Sequence, residues 1–365
     1  NTQSSLAMKS AGYYSAKTAG AKNVIDKTQK VIENALKTIP SSELLKFADF
    51  GSADGGTSQE MWSNIIKLIR EKGDDRQIEI LYTDLASNDF STLFKTMQGM
   101  HGNSNFAFQK NFKDVYVHGS GTGFHEQLMS DSSLTLGFSA TAMHYVSERP
   151  CLIENHVHMT GANESERKLF KKQASKDWET ILLNRSNELI TGGRFVCVNF
   201  GIDEEGRCLG NTGGHIMFNN FAKNWKQLED QGVLTKQEFL NATFTQHYRT
   251  VEEFKKPFED KDSLISKSGL VLKSCETMIT DCPYKLHYLN NKDTMSSEEY
   301  ANTLIPTMRS WSETVFRNAL IDRTEKEINE IVDKFYNLYI EEVSNDPEGH
   351  AMDYVHVIMD VEKVS

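Results

Sequence analysis

Apolar and polar positions change period along the chain in a regular order. Between residues 21 and 39 the apolar positions Val24, Ile25, Val31, Ile32, Ala35 and Leu36 share one helical stripe, which ends before Pro40. Leu44–Phe50 reads as a strand, stopped by Gly51-Ser52-Ala53-Asp54-Gly55-Gly56-Thr57; Trp62, Ile65, Ile66 and Ile69 then resume a helical face. Residues 78–82 form a second strand ending in Thr83-Asp84-Leu85, and Asn88-Asp89-Phe90 opens a helix bearing Leu93, Phe94 and Met97. The alternation runs on through strands at 115–117 and 134–138, a long helix over 165–189 and a strand at 194–200. This order predicts a doubly wound, Rossmann-like α/β core, a parallel sheet with helices on both faces.

The second half is patterned differently. Residues 213–262 and 293–346 have helical period and high charge, whereas 269–280 and 354–361 alternate as strands. The expected division is a core of 1–212, 263–292 and 347–365, with 213–262 and 293–346 inserted as a helical cap.

Composition narrows the function classes. The chain has 365 residues, and Lys+Arg 40 against Asp+Glu 51 gives a formal charge of −11, which argues against a nucleic-acid scaffold. Five cysteines without a CxxC read as a reduced chain, no apolar run approaches a membrane span, and the first 20 residues show no apolar signal core. A cytoplasmic protein with neither a nucleic-acid nor a membrane partner is expected.

The candidate chemistry sits after the first strand. Its glycines let backbone approach a ligand where the next helix presents its N-terminus, so nucleotide binding is implied. The spacing matches neither GxGxxG nor GxxxxGK[ST], which disfavours a nicotinamide dehydrogenase. Asp84, at the end of the second strand, stands where a doubly wound fold places an acid to accept from both ribose hydroxyls. Asp49, at the end of the first, is an available partner for an ammonium group.

These stretches resemble the SABATH family of S-adenosylmethionine-dependent methyltransferases over nearly the whole chain. Met8-Lys9 with Gly12-Tyr13-Tyr14-Ser15 resembles its N-terminal segment, and Phe47-Ala48-Asp49-Phe50-Gly51 with Gly55 its glycine loop. The most specific piece is Asp84-Leu85 with Asn88-Asp89-Phe90 and Phe94. Gly119 with Phe124 and Leu128, the run 138–147 with Pro150, Tyr248 with Glu252-Glu253, and Met308-Arg309-Ser310-Trp311 with Glu313 are similar to later motifs. The resemblance implies a homodimer that moves the methyl of S-adenosylmethionine to the carboxylate of a small, partly apolar acid. It puts the cofactor against Tyr14, Ser15, Asp49, Gly51, Asp84, Leu85, Phe138 and Ser139. The acceptor would lie against Met143, His144, Tyr145, Phe218, Met308 and Trp311. Tyr145 stands where the family has a tryptophan N–H for the carboxylate, Ala21 where it has a glutamine donor, and Thr57 where it has an asparagine. The missing donor would come from His144 or a cap residue.

A carboxylate is already ionised at pH 7, so in-line attack on a sulfonium methyl needs alignment in a dry pocket rather than a base. Tyr145 and His144 are the candidate catalytic groups. N-methylation of a small heterocycle or amine is the nearest alternative, with His144 as base; a non-catalytic S-adenosylmethionine-binding protein is another. His156 and His158, on one face of an extended segment, with His144, form no ligand set completed by Cys or carboxylate. The acids Asp203, Glu204 and Glu205 read as a solvated turn, although some family members are thought to hold a divalent cation nearby. No metal is therefore expected.

Overall fold

The computed structural model describes residues 19–40 and 42–365, so Tyr14 and Ser15 lie outside the described residues. The described residues form eight strands: β1 (Leu44–Phe50), β2 (Gln77–Thr83), β3 (Val115–Ser120), β4 (Leu134–Ala140), β5 (Leu189–Ile202), β6 (Arg249–Thr250), β7 (Leu270–Thr280) and β8 (Tyr354–Lys363). The helices of six or more residues are α1 (Ala19–Leu36), α2 (Gln59–Glu71), α3 (Phe90–Met97), α4 (Glu164–Glu188), α5 (Met217–Asp230), α6 (Lys236–Asn241), α7 (Val251–Glu259), α8 (Pro283–Asn290), α9 (Ser297–Ala319) and α10 (Glu325–Asn345).

The strands form one sheet in the order β3-β2-β1-β4-β5-β8-β7, with β6 beside the end of β5. β1 to β5 run parallel, and β8 runs antiparallel between β5 and β7. Chain order reverses between β1 and β4, so a crevice opens beyond their carboxyl ends, where open α/β sheets bind ligands. Every side chain of β4 from Leu134 to Ser139 is buried, as expected for a central strand covered on both faces.

Helix starts follow from sequence. Capping boxes close the first turns of α4 (Asn163 with Glu166), α6 (Thr235 with Glu238), α7 (Thr250 with Glu253), α9 (Ser296 with Glu299) and α10 (Thr324 with Glu327). In each, the cap side chain accepts the N3 amide while the N3 glutamate accepts the cap amide, which satisfies two donors that the helix cannot.

The helices of 217–241 and 297–345 pack on one another around aromatic side chains. The Trp225 ring lies 4.9 Å from Phe316 and 5.3 Å from Phe335. This cluster is continuous with the sheet core, where Phe47 stacks on Trp62 at 5.5 Å. α7 lies instead on the other side of the core, with Phe254 edge-on to Trp178 of α4 and its carbonyl accepting from the Trp178 indole. The helical period of 251–259 could not reveal which body the helix would join.

Candidate active site

Two adjoining cavities open at the crevice. The first is lined by the glycine loop, the residues that follow β2, residues 123–125 and residues 140–142. Gly51, Asp84 and Leu85 are among the residues that line it. Gly51 has φ +74°, and a Cβ there would meet the Ala142 Cβ at 2.4 Å, so only glycine fits. Ala53 (φ 49°) and Thr141 (φ 57°) hold the same left-handed conformation without being glycine, and both line the cavity. A β-branched residue there is an outlier, and such strain concentrates at ligand sites.

The Asp84 carboxylate is aimed by backbone. One oxygen accepts from Ala53 N at 2.7 Å and the other from Leu85 N at 2.7 Å. Each oxygen keeps a lone pair for a ligand hydroxyl. Burial raises its pKa, and the two amide bonds oppose that rise.

Residues 123–125 are held from below. Arg185, fully buried and paired with Glu188 at 2.6 Å, donates to the carbonyls of Phe124 (2.9 Å) and Glu126 (2.8 Å). Gly123, Phe124 and His125 therefore form one wall of the cavity. Phe124 was visible as part of a motif, but nothing in spacing turned it towards a ligand. Ala21 and Ile25 of α1 form an apolar wall, and Thr57 lines the loop side.

The second cavity lies against the first and shares Thr141 and Tyr145 with it. His144, Tyr145 and Trp311 line it, joined by Phe200, Gln246, Tyr248, Met352 and Tyr354. No Lys, Arg, Asp or Glu among the described residues lines it. The rings nearby are neutral: burial lowers the His144 pKa to about 3 and that of His356 to about 3, and pushes His158 far down. Burial raises the Tyr145 pKa well above its ordinary value, so its hydroxyl keeps its proton and donates.

Six expected site residues lie elsewhere. Asp49 is buried behind the glycine loop, accepting from Ser58 Oγ (2.7 Å) and Trp62 Nε1 (2.9 Å), and burial pushes its pKa up to about 6. Phe138 and Ser139 belong to β4, whose side chains point to the sheet faces: Phe138 packs on Trp62, and Ser139 Oγ donates to Phe50 O at 2.9 Å. The next residues, 140–142, reach the cavity. Met143 is turned down beside Cys197, Phe218 is stacked on His158 at 3.7 Å, and Met308 is packed inside the cap. None of these three is among the residues that line the second cavity. Period-2 and period-3.6 patterns find buried positions but do not separate a wall from the layer behind it.

His156 has both ring nitrogens engaged. His156 bonds His158 O at 3.0 Å and Asn219 at 3.2 Å. Asp203 takes Arg207 at 2.8 Å. One group among the described residues, His215, Asp346 and His350, brings its donor atoms within 4.8 Å of one another. It does not line either cavity, and His215 pairs with Asp346 at 2.8 Å.

Chain order in the α/β sheet reverses at a crevice with a second cavity against it, the place where doubly wound folds bind nucleotide-type ligands. Residues 5–363 match the family described as SAM dependent carboxyl methyltransferase, and the chain belongs to that family, the SABATH enzymes. Among curated proteins it is similar to the methyltransferase FUS9 of Gibberella moniliformis, 26% identical over 86% of this chain and 83% of that one. It is also similar to loganic acid O-methyltransferase of Catharanthus roseus, 21% identical over 68% of this chain and 70% of that one. A solved loganic acid methyltransferase with SAH shares the fold at TM-score 0.75 and 16% identity, over 98% of this chain and 99% of that chain. The chain is thus a carboxyl methyltransferase that uses S-adenosylmethionine as methyl donor, in the class of its relatives that act on small acids. No helix among the described residues is long and apolar enough to cross a membrane.

Proposed function

We propose that the protein methylates the carboxylate of a small acid with a flat or aliphatic, uncharged body, giving a methyl ester and S-adenosylhomocysteine. The observation that carries this reading is the junction of the two cavities at Thr141 and Tyr145. One cavity takes the cofactor, with Asp84 accepting from the ribose hydroxyls and Leu85, Phe124 and His125 walling the adenosine. The other takes the acid, whose carboxylate meets the Tyr145 hydroxyl at the junction. The cofactor supplies an electrophilic methyl on a sulfonium.

The chain's own part is to dry, align and orient. A carboxylate oxygen enters in line with the methyl–sulfur bond, and the anion and the sulfonium both lose their charge as the methyl moves. Loss of charge is favoured in an uncharged pocket, because neither partner is held back by water or by a competing ion. No proton has to leave the nucleophile. His144, with a pKa of about 3, is a weak base, which favours a carboxylate over an amine or a phenol.

The reading includes a homodimeric, cytoplasmic enzyme without nucleic-acid or membrane partners. It is supported by the family resemblance, the acidic charge and five cysteines of which none is disulfide-bonded. Tyr145→Phe tests the acceptor assignment. Removing the donor should raise the acceptor KM about tenfold, the worth of one hydrogen bond to a charged group, with the S-adenosylhomocysteine Kd unchanged. Equal effects on both would reject it.

A further inference from the structure

The acceptor cavity has one recognised donor at its mouth, and a carboxylate has two oxygens. The chain segment that faces Tyr145 supplies a second. Val146 N donates to Thr245 O at 3.1 Å and His247 N to His144 O at 2.9 Å, so residues 144–146 and 245–247 form a short antiparallel ribbon in which Tyr145 and Gln246 are directly opposed. Bonds on either side of the pair make it the close, non-hydrogen-bonded type, whose two side chains project from the same face. Both line the acceptor cavity. Gln246 is buried, and its Oε1 accepts from the Tyr248 hydroxyl at 3.4 Å. That contact turns the amide so that its N–H groups point the other way.

We propose that Gln246 is the second carboxylate donor, paired across the ribbon with Tyr145, and that this uncharged fork restricts the acceptor to monocarboxylic acids with an uncharged body. The inference rests on the function proposed above. Tyr248 is a positioning residue, since it fixes which edge of the amide faces the cavity. Two neutral donors hold both oxygens without a fixed cation. A lysine or arginine would bind the anion more strongly in the ground state than in a transition state where its charge is vanishing, which would slow the reaction. Phe200, Leu209, Trp311, Met352 and Tyr354 also line the cavity, and no Lys, Arg, Asp or Glu among the described residues stands there to meet a second charge on the acid. A dicarboxylate or an amino acid would bury an unpaired ion there, which is strongly unfavourable.

Gln246→Leu and Gln246→Glu in the full chain separate the outcomes, using trans-cinnamate and octanoate as probes and succinate as the dicarboxylate control. With S-adenosylhomocysteine bound, calorimetry should show wild-type binding of at least one monocarboxylate and none of succinate. Gln246→Leu should weaken acid binding at least tenfold with the S-adenosylhomocysteine Kd unchanged. Gln246→Glu should bind acid poorly at pH 8 and recover as pH falls towards 5.5, because a protonated Glu side chain donates where the ionised one repels; a purely structural role would not produce that profile. Acid affinity in both variants equal to that of the wild type, a parallel loss of S-adenosylhomocysteine, or tight succinate binding overturns the inference alone. Absence of binding of either acid to the wild type, with S-adenosylhomocysteine bound, overturns the function reading and the inference with it.

Discussion

Asp84→Asn is the sharpest test of the cofactor geometry. The substitution keeps the shape of the side chain but replaces one carboxylate oxygen with an NH2 group. Both oxygens already accept a backbone amide, Ala53 N and Leu85 N, each at 2.7 Å, so the amide nitrogen meets an N–H whichever way it turns. Folding stability should fall by roughly 1–3 kcal/mol, the penalty for a backbone donor left without its acceptor. Binding loses more. Two ribose hydroxyls that donated to a carboxylate would face a neutral amide with one oxygen, and hydrogen bonds to a charged group are worth about 1.5–3 kcal/mol each. Losing one and weakening the other amounts to about 2.7 kcal/mol, roughly a hundredfold in Kd. The assay is calorimetric titration of S-adenosylhomocysteine and its 2′,3′-dideoxy analogue into wild type and variant, which closes a double-mutant cycle. The variant should lose affinity for the natural ribose and little for the analogue. Equal losses for both ligands, or no loss, would refute the ribose assignment.

Three further outcomes are expected. Asp49 has a folded-state pKa of about 6 against 3.8 in the unfolded chain, so the native state binds more protons between those values. Its contribution to stability is then present below about pH 4 and is lost as pH rises through 6; urea unfolding of Asp49→Asn should lack that falling segment and exceed wild type at pH 7 by up to about 3 kcal/mol. Arg185→Met should lower stability by about 3–5 kcal/mol, since it strands a fully buried Glu188 and frees the Phe124 and Glu126 carbonyls; a shift below 1 kcal/mol in urea unfolding would contradict the role given to that pair. Trp311→Ala should raise acceptor KM while leaving cofactor affinity within about threefold, because Trp311 lines the second cavity and not the first.

Much of the fold was legible because local signals agreed with each other. Leu44–Phe50 is both apolar and bounded by a glycine loop, and the structure gives β1 the same limits. Asp89 before Phe90 is an N-cap, and its side chain accepts Thr92 N. The placement of Gly51, Asp84 and Leu85 was also legible, since a crevice at the switch between β1 and β4 follows from strand order alone. The acceptor wall was not. Phe218 and Met308 lie on the apolar faces of α5 and α9, but those faces are several layers deep, and only tertiary packing decides that Trp311 reaches the cavity while they do not. Gln246 left no trace in the pattern, because its place depends on a bridge of one residue pair between segments a hundred positions apart. The side of the sheet taken by α7 was similarly hidden, being set by the contact of Phe254 with Trp178.

The central claim is methyl transfer to a carboxylate. It is tested most directly by incubating the purified chain with methyl-labelled S-adenosylmethionine and a panel of monocarboxylic acids, dicarboxylic acids, phenols and amines, then treating the labelled products with mild alkali. The account predicts label in monocarboxylic acids alone, released by alkali as methanol because it is held in an ester. Alkali-stable label in amines or phenols, from a protein that binds S-adenosylhomocysteine, would contradict it.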